Sequence, residues 1–395
     1  MTMPPPKHED LMIDVTRRYE RLLLFLLYPL LPFLLLRARL GRRDFGDSPR
    51  ILIVTNLTRI GDIIAATPVF RAIKERYPKS RLEVLVSVKA VGILAANARI
   101  DRLIAIEHYK KNFLDLIREI YHSRFDIGIS LSGTALSSLL FMFGGISLRL
   151  KLCRTPRPFN ETLTDWTATK QFWFPHNISV TAFFLSMLNE LGVTPPRSLK
   201  EVEVTVEGEH KANIFLEKNN LSNQRLIGIS VSPSNKVKEW GIERFAKLIE
   251  LIVTKYPLRF VVIGSPADNY YIENLRKLTD VPFVTATDFS LSELPSLVKR
   301  LSFFVSGNTG PMHIADALDI PMVVINGPVD DKELIPEQAP HILVKPRGNI
   351  SPTIFAFKPA GDPRLSQKAL EETSVEDVFV AFEKLWGMAE HLKEH

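Results

Sequence analysis

Short, wholly apolar runs alternate with amphipathic stretches through both halves of this chain, and no other feature constrains its fold as tightly. Runs such as ILIV at 51–54 and FVVI at 260–263 present no polar face. A strand of that kind is buried on both sides, as happens when helices cover both faces of a parallel sheet. In the first half, strands over 50–55, 82–88, 103–106 and 126–131 alternate with helices over 62–77, 91–97 and 110–122. In the second, strands over 226–232, 259–264, 283–286, 303–306 and 322–326 alternate with helices over 211–218, 242–255, 268–278, 292–300 and 311–318. This is the pattern of an α/β chain with two doubly wound parallel sheets and a cleft between them. In such sheets ligands sit beyond the carboxyl ends of the strands, so function is sought in the loops there.

The stretch 132–192 is less regular and rich in aromatics, among them Phe141, Phe159, Trp166, Phe172, Trp173, Phe174, Phe183 and Phe184. Core packing accounts for most of them, and an acceptor groove is the alternative for the rest. A helix over 178–191 ends at Gly192, a C-cap. The divisions read from this pattern are an arm over 1–48, a first domain over 49–205, a second over 206–370, and a C-terminal helix within 371–395 that returns to the first domain.

Composition narrows the class. At 395 residues, 46% hydrophobic and 24% charged, the chain has material for two to three ordinary globular domains and is neither disordered nor fibrous. Its one cysteine, Cys153, excludes a disulfide framework and a cysteine-rich zinc site and suits a reducing compartment. The net charge of +6 is scattered apart from the N-terminus, so no nucleic-acid partner is expected.

The N-terminal arm stands apart. Residues 22–36 read LLLFLLYPLLPFLLL, a charge-free segment of about 22 Å as a helix, too short to span a bilayer. Pro29 and Pro32 bend it, and Arg17, Arg18, Arg21, Arg37, Arg39, Arg42 and Arg43 flank it. Cationic flanks on both sides favour a segment that enters the cytoplasmic face and returns, with anionic headgroups meeting the arginines. Packing on protein is the bland alternative. Glu9, Asp10 and Asp14 ahead of the segment argue against a cleaved signal peptide.

Four loops carry the candidate chemistry. In Thr58-Arg-Ile-Gly-Asp62, Gly61 permits close approach to a ligand. Asp62 is either a helix-terminal carboxylate favoured by the dipole or a general base at the cleft edge. In the loop 232–240, Ser232 and Ser234 can face an anion and Lys236 and Lys238 can reach a diphosphate, unless the loop is simply solvated. Asp268, following Gly264, fits a ribose or sugar hydroxyl as well as a helix cap. In Ser306-Gly-Asn-Thr-Gly-Pro-Met-His313, a glycine-bearing turn opens a helix whose N-terminus attracts phosphate, with Asn308, Thr309, Gly310 and His313 as its ligand-facing candidates. The glycine spacing matches neither the dinucleotide fingerprint nor a Walker loop.

Three strings stand together here: ILIVTNLTRIGDIIAATPVFRAIKERYPKSRLEVLV, IGISVSPSNKVKEWGIERFAKLI and FFVSGNTGPMHIADALDIPMVVINGPVD. In content and order they resemble glycosyltransferase family 9, the bacterial heptosyltransferases, from about residue 50 to 330. The resemblance implies a GT-B fold, with the acceptor on the first Rossmann-like domain and the nucleotide-sugar on the second. It further implies inverting transfer from an ADP-heptose-type donor without a bound metal or other cofactor. Carried over by motif, Asp62 takes the base position and Lys238 the donor-phosphate position, with Thr309 and Gly310 at the phosphate-facing turn. Asp268 falls near the acid that holds donor hydroxyls, and Asn308, standing where the family often has Asp, is the second candidate for the donor sugar or ribose. Gly241 stands where the family often has Pro. The acceptor implied is a lipid-linked glycan such as lipopolysaccharide core, at the cytoplasmic face of the bacterial inner membrane. Two other readings are a catalytically inactive glycan- or nucleotide-sugar-binding protein and a sugar-nucleotide epimerase.

Overall fold

The computed structural model describes residues 45–55, 59–107, 113–155, 159–193, 199–233, 235–348 and 350–391. The apolar segment 22–36, its flanking arginines, Thr58 and Ser234 lie outside the described residues. Among the described residues no helix is long and apolar enough to cross a membrane.

The apolar runs become the centres of two parallel sheets. In the first half the elements run β1 (Arg50–Val54), α1 (Ile60–Ala65), α2 (Thr67–Arg76), β2 (Arg81–Ser87), β3 (Arg102–Ile106), α3 (Phe113–Ser123) and β4 (Ile127–Ser130). There follow α4 (Ala135–Phe143), β5 (Leu148–Cys153), α5 (Phe159–Asp165), β6 (Lys170–Trp173) and α6 (Val180–Ser186). The strand order is β3-β2-β1-β4-β5-β6, every pair parallel, with Ile51 beside Leu82 on one side and Ile127 on the other. Ile51, Leu52, Ile53 and Val54 are fully buried, as a central strand covered on both faces requires.

The second half runs α7 (Val206–Lys218), β7 (Leu226–Ser230), α8 (Ile242–Lys255), β8 (Arg259–Ile263), α9 (Asn269–Leu278), β9 (Phe283–Ala286), α10 (Leu294–Val298) and β10 (Phe303–Gly307). It ends with α11 (Gly310–Ala317), β11 (Met322–Ile325), β12 (His341–Val344), α12 (Pro363–Glu371) and α13 (Val375–His391). Its sheet, ordered β12-β11-β10-β7-β8-β9, repeats the connectivity of the first. In both sheets the order reverses once, between β1 and β4 and between β7 and β10. Those reversals are where a doubly wound sheet opens a crevice.

Several expectations need correction. The helix expected over 91–97 is a single 3-10 turn, Val91–Ile93, and the helix over 62–77 breaks at Ala66 into α1 and α2. The irregular stretch supplies α4, β5, α5 and β6, and completes the first sheet. Among the described residues the C-terminal helix packs on the second domain, where the first was expected: Val378, Phe382 and Leu385 of α13 join a core with α8, β11 and β12. Gly192 does end its helix in the left-handed conformation, φ 64°.

The aromatics of the irregular stretch have two fates. Phe174, Phe183 and Phe184 pack with Phe357 from the second half, Phe174 and Phe357 edge to face at 5.1 Å between ring centres. One apolar cluster therefore runs from Phe70 and Leu82 through this seam to Val261 and Met312. Phe159 and Trp173, by contrast, are exposed.

Candidate active site

The two sheet reversals face one another, and the loops beyond them bring together side chains far apart in sequence. Loop β1–α1 delivers Asp62 in the first turn of α1, where the residue is 8% exposed and its charge is favoured by the helix dipole. Loop β7–α8 delivers Lys238 at the end of a 3-10 turn capped by the Asn235 side chain. Loop β10–α11 delivers Asn308 and Thr309, the N-cap residue of α11.

The helix starts meet at Gly61. A Cβ built there would lie 2.5 Å from Cδ2 and 2.7 Å from Nε2 of His313, so any side chain would drive α1 and α11 apart. A Cβ on Gly310 would stand 3.4 Å from Ile60. Gly61 is thus needed for contact between protein elements, where the sequence reading placed approach to a ligand.

Lys238 is half-buried and donates through Nζ to Oδ1 of Asn308 at 3.1 Å and to its backbone carbonyl at 3.4 Å. Burial, helped by the like charge of Arg59, lowers its pKa to about 8, and the Asp62 carboxylate acts in the opposite direction. Lys238 is therefore mostly charged at neutral pH and loses that charge on mild alkalinisation. His313, buried in α11, is pushed down to about 3 by desolvation, then by the charge of Lys200, with Lys238 adding to the shift and Asp316 opposing it. It is a neutral imidazole, and its Nδ1 finds no hydrogen-bond partner among the described residues. The hydroxyl of Thr309, a residue 7% exposed, finds none among the described residues either. An unsatisfied hydroxyl at a helix N-terminus, with an ammonium held on the neighbouring Asn308, suits an anionic ligand.

The other predicted residues divide. Asp268 accepts from Ser265 N at 2.7 Å and Ser265 Oγ at 2.8 Å and so caps its own turn. Ser232 is half-buried, and Lys236 is exposed at the start of the 3-10 turn. Trp240 is structural: it packs edge to face on Phe245 at 4.9 Å and donates Nε1 to Thr373 O at 2.8 Å. Gly241 has φ 109°, a conformation closed to proline, so the glycine is required here.

Two features escaped the sequence reading. Arg59, the residue before α1, lies close enough for its charge to act on Lys238. It belongs to the quoted loop, and a cation three residues from a candidate base was the available signal. The second is a buried triad behind α11. Lys200 Nζ lies 2.8 Å from Oδ2 of Asp316 and 3.1 Å from Oε2 of Glu337, with Lys200 and Asp316 side chains 2% and 0% exposed. Asp316 also accepts from the backbone N–H groups of Glu337, Gln338 and Ala339. On the other side of Lys200, Glu201 is tied to α2, its N–H to Thr67 Oγ1 at 2.8 Å and its carboxylate to Arg71 at 2.7 Å. This connection thus fastens α2, behind the base, to α11, which carries the phosphate-facing turn. No local pattern announces a pair so distant in sequence.

Comparison with known proteins agrees with this geometry. The family model described as glycosyltransferase family 9 (heptosyltransferase) matches residues 113–346. The lipopolysaccharide core heptosyltransferase OpsX of Haemophilus influenzae is 23% identical over 288 residues, which span 71% of this chain and 79% of that protein. Among solved structures, a glycosyl transferase family 9 protein from Veillonella parvula superposes with a TM-score of 0.71 at 22% identity, covering 87% of this chain and 98% of the other. The E. coli heptosyltransferase WaaC, solved with ADP, superposes with a TM-score of 0.62 at 16% identity, covering 86% and 99%. These two likenesses establish the arrangement of two facing sheets.

Proposed function

We propose, from the premise that this chain belongs to glycosyltransferase family 9 and is therefore a glycosyltransferase, that it moves a heptose-like sugar from an ADP-linked donor to a hydroxyl of a lipid-linked glycan. The observation that carries this reading is the convergence of Asp62 and Lys238 on one cleft, with the unpartnered Thr309 hydroxyl and His313 Nδ1 at the start of α11. The similarity to a lipopolysaccharide core heptosyltransferase, and to one solved with ADP, supports the donor and acceptor classes.

The chemistry follows from charge. The Asp62 carboxylate takes the proton from the acceptor hydroxyl as its oxygen attacks the anomeric carbon from the face opposite the leaving group. The bond from that carbon to the diphosphate oxygen breaks, and its electron pair leaves with the nucleoside diphosphate, so the anomeric centre inverts. The developing charge is met by the Lys238 ammonium, the Thr309 hydroxyl and the free N–H groups of α11. On this reading no metal is required for the leaving group.

A thermal-shift series with ADP, UDP, GDP, dTDP and CMP tests the donor assignment. A ligand at 100 times its dissociation constant adds about 2.7 kcal/mol to stability. ADP is expected to give the largest upward shift, and Lys238→Ala to lose most of it while melting normally without ligand. An undiminished ADP response in that variant would contradict the phosphate role of Lys238.

Residues 22–36 and their flanking arginines support attachment at the cytoplasmic face, where a lipid-linked acceptor would be concentrated. Removing the residues before Asp44 is expected to move the protein from the membrane fraction to the soluble fraction. Unaltered sedimentation with membranes would dismiss this role for the arm.

A further inference from the structure

Asn308 uses both ends of its side chain. Its Oδ1 accepts from Lys238 Nζ at 3.1 Å, and its Nδ2 donates to the backbone carbonyl of Leu334. Chemistry forces that orientation, because an ammonium only donates and a carbonyl only accepts. A carboxylate in this place would turn one oxygen to the Leu334 carbonyl with no proton between them, and the other would neutralise Lys238. The charged and titratable groups acting on Lys238 are Asp62 and Arg59 from the start of α1, and its own charge acts on His313 of α11. Asp62 is the only carboxylate among these four groups, and it is the one assigned to the acceptor's proton.

We propose that Asn308 is a positioning residue that holds Lys238 toward the donor as a cation without a carboxylate of its own, so that donor affinity falls when Lys238 gives up its proton. The inference rests on the reading of Lys238 as the diphosphate contact and assigns Asn308 a role other than contact with the donor sugar. Because the Lys238 pKa is lowered to about 8, nucleoside-diphosphate affinity is level between the ionisation of the terminal phosphate and that pH, and above it falls by up to about tenfold per pH unit toward the affinity of a protein without the charge. The sign follows from the group: the ammonium binds phosphate and the neutral amine does not.

The test is ADP binding by calorimetry from pH 6.5 to 9.5 on the full-length protein and three variants. Lys238→Met should abolish the alkaline fall. Asn308→Ala should weaken ADP at every pH and leave the fall near pH 8. Asn308→Asp should weaken ADP about tenfold or more at pH 7, by repulsion of the diphosphate, and move the fall upward by about one pH unit or more. Only a charge-setting role moves the pH of the fall, and Asn308→Ala and Lys238→Met remain informative if Asn308→Asp folds poorly. Wild-type affinity and an unmoved fall in folded Asn308→Asp would overturn the inference, as would a fall that persists in Lys238→Met. If the wild-type protein binds neither ADP nor UDP, GDP or dTDP, the reading of a nucleoside-diphosphate-linked donor itself fails, and this inference with it.

Discussion

Replacing Asp62 by Asn is expected to lower turnover by about 100- to 10,000-fold while ADP still binds, the range associated with loss of a general base. The amide preserves the size of the side chain in the first turn of α1, so the fold and the α1–α11 contact should survive. One secondary effect has a definite sign. The Asp62 charge holds the Lys238 pKa up, so its removal should lower that pKa below about 8 and weaken ADP at alkaline pH more than at neutral pH. The measurement is donor-dependent release of nucleoside diphosphate in the presence of acceptor, with ADP affinity followed separately. Turnover equal to wild type would remove Asp62 as the base.

Lys200→Met is expected to destabilise the protein by about 3–5 kcal/mol, because it leaves the Asp316 and Glu337 carboxylates without their buried counter-charge. For a domain of this size that corresponds to a melting temperature lower by roughly 6–20 °C. Burial alone would raise the Asp316 pKa, but the Lys200 charge and the backbone N–H groups more than offset it and hold the carboxyl below its usual range. A depressed carboxyl pKa contributes stability that is present above the unfolded value and lost as pH falls through the folded one. The gap between wild type and variant should therefore be widest at neutral pH and narrow as pH drops below the ordinary carboxylate range. Thermal unfolding at pH 7.5 and pH 3 reads both; melting within about 1 °C of wild type at pH 7.5 would refute the assignment. The double variant Lys200→Met, Asp316→Asn should recover part of the loss, since the unpaired charge rather than the missing pair causes it.

Much of the fold was legible where burial is symmetric. The helix Ile242–Lys255 and the strand Phe283–Ala286 coincide with their expected bounds, since their patterns are unambiguous and turn residues bracket them. The missed strands have physical causes. β5 reads LRLKLC and buries two cations, Arg149 and Lys151. Arg149 is satisfied by the carbonyls of Ile146 and Thr167, and Lys151 by Asp165 at 2.7 Å, none of which is visible in a hydropathy pattern. β6, KQFW, is an edge strand, largely exposed and without an apolar period. β12 is a four-residue edge strand in a stretch with no alternation to frame it.

The sequence by itself determined the two-sheet architecture and the loops that bear the chemistry, because wholly apolar strands dictate parallel sheets and a doubly wound sheet places its crevice beyond particular strand ends. It also named candidates in those loops: Asp62, Thr309 and His313 beside glycine-bearing turns that open helices, and Lys236 and Lys238 in a basic loop, with the family resemblance favouring Lys238. Tertiary structure alone decided how those loops work together. That Gly61 exists to admit His313, that Asn308 grips Lys238, and that Lys200 pairs with Asp316 are contacts between residues distant in the chain. Asp268 was settled in the same way: its carboxylate suited a cap or a ribose equally, and the folded loop turns it onto Ser265. Local patterns encode which face of an element is buried; the partner met by a buried polar group is set only when the two sheets close on each other.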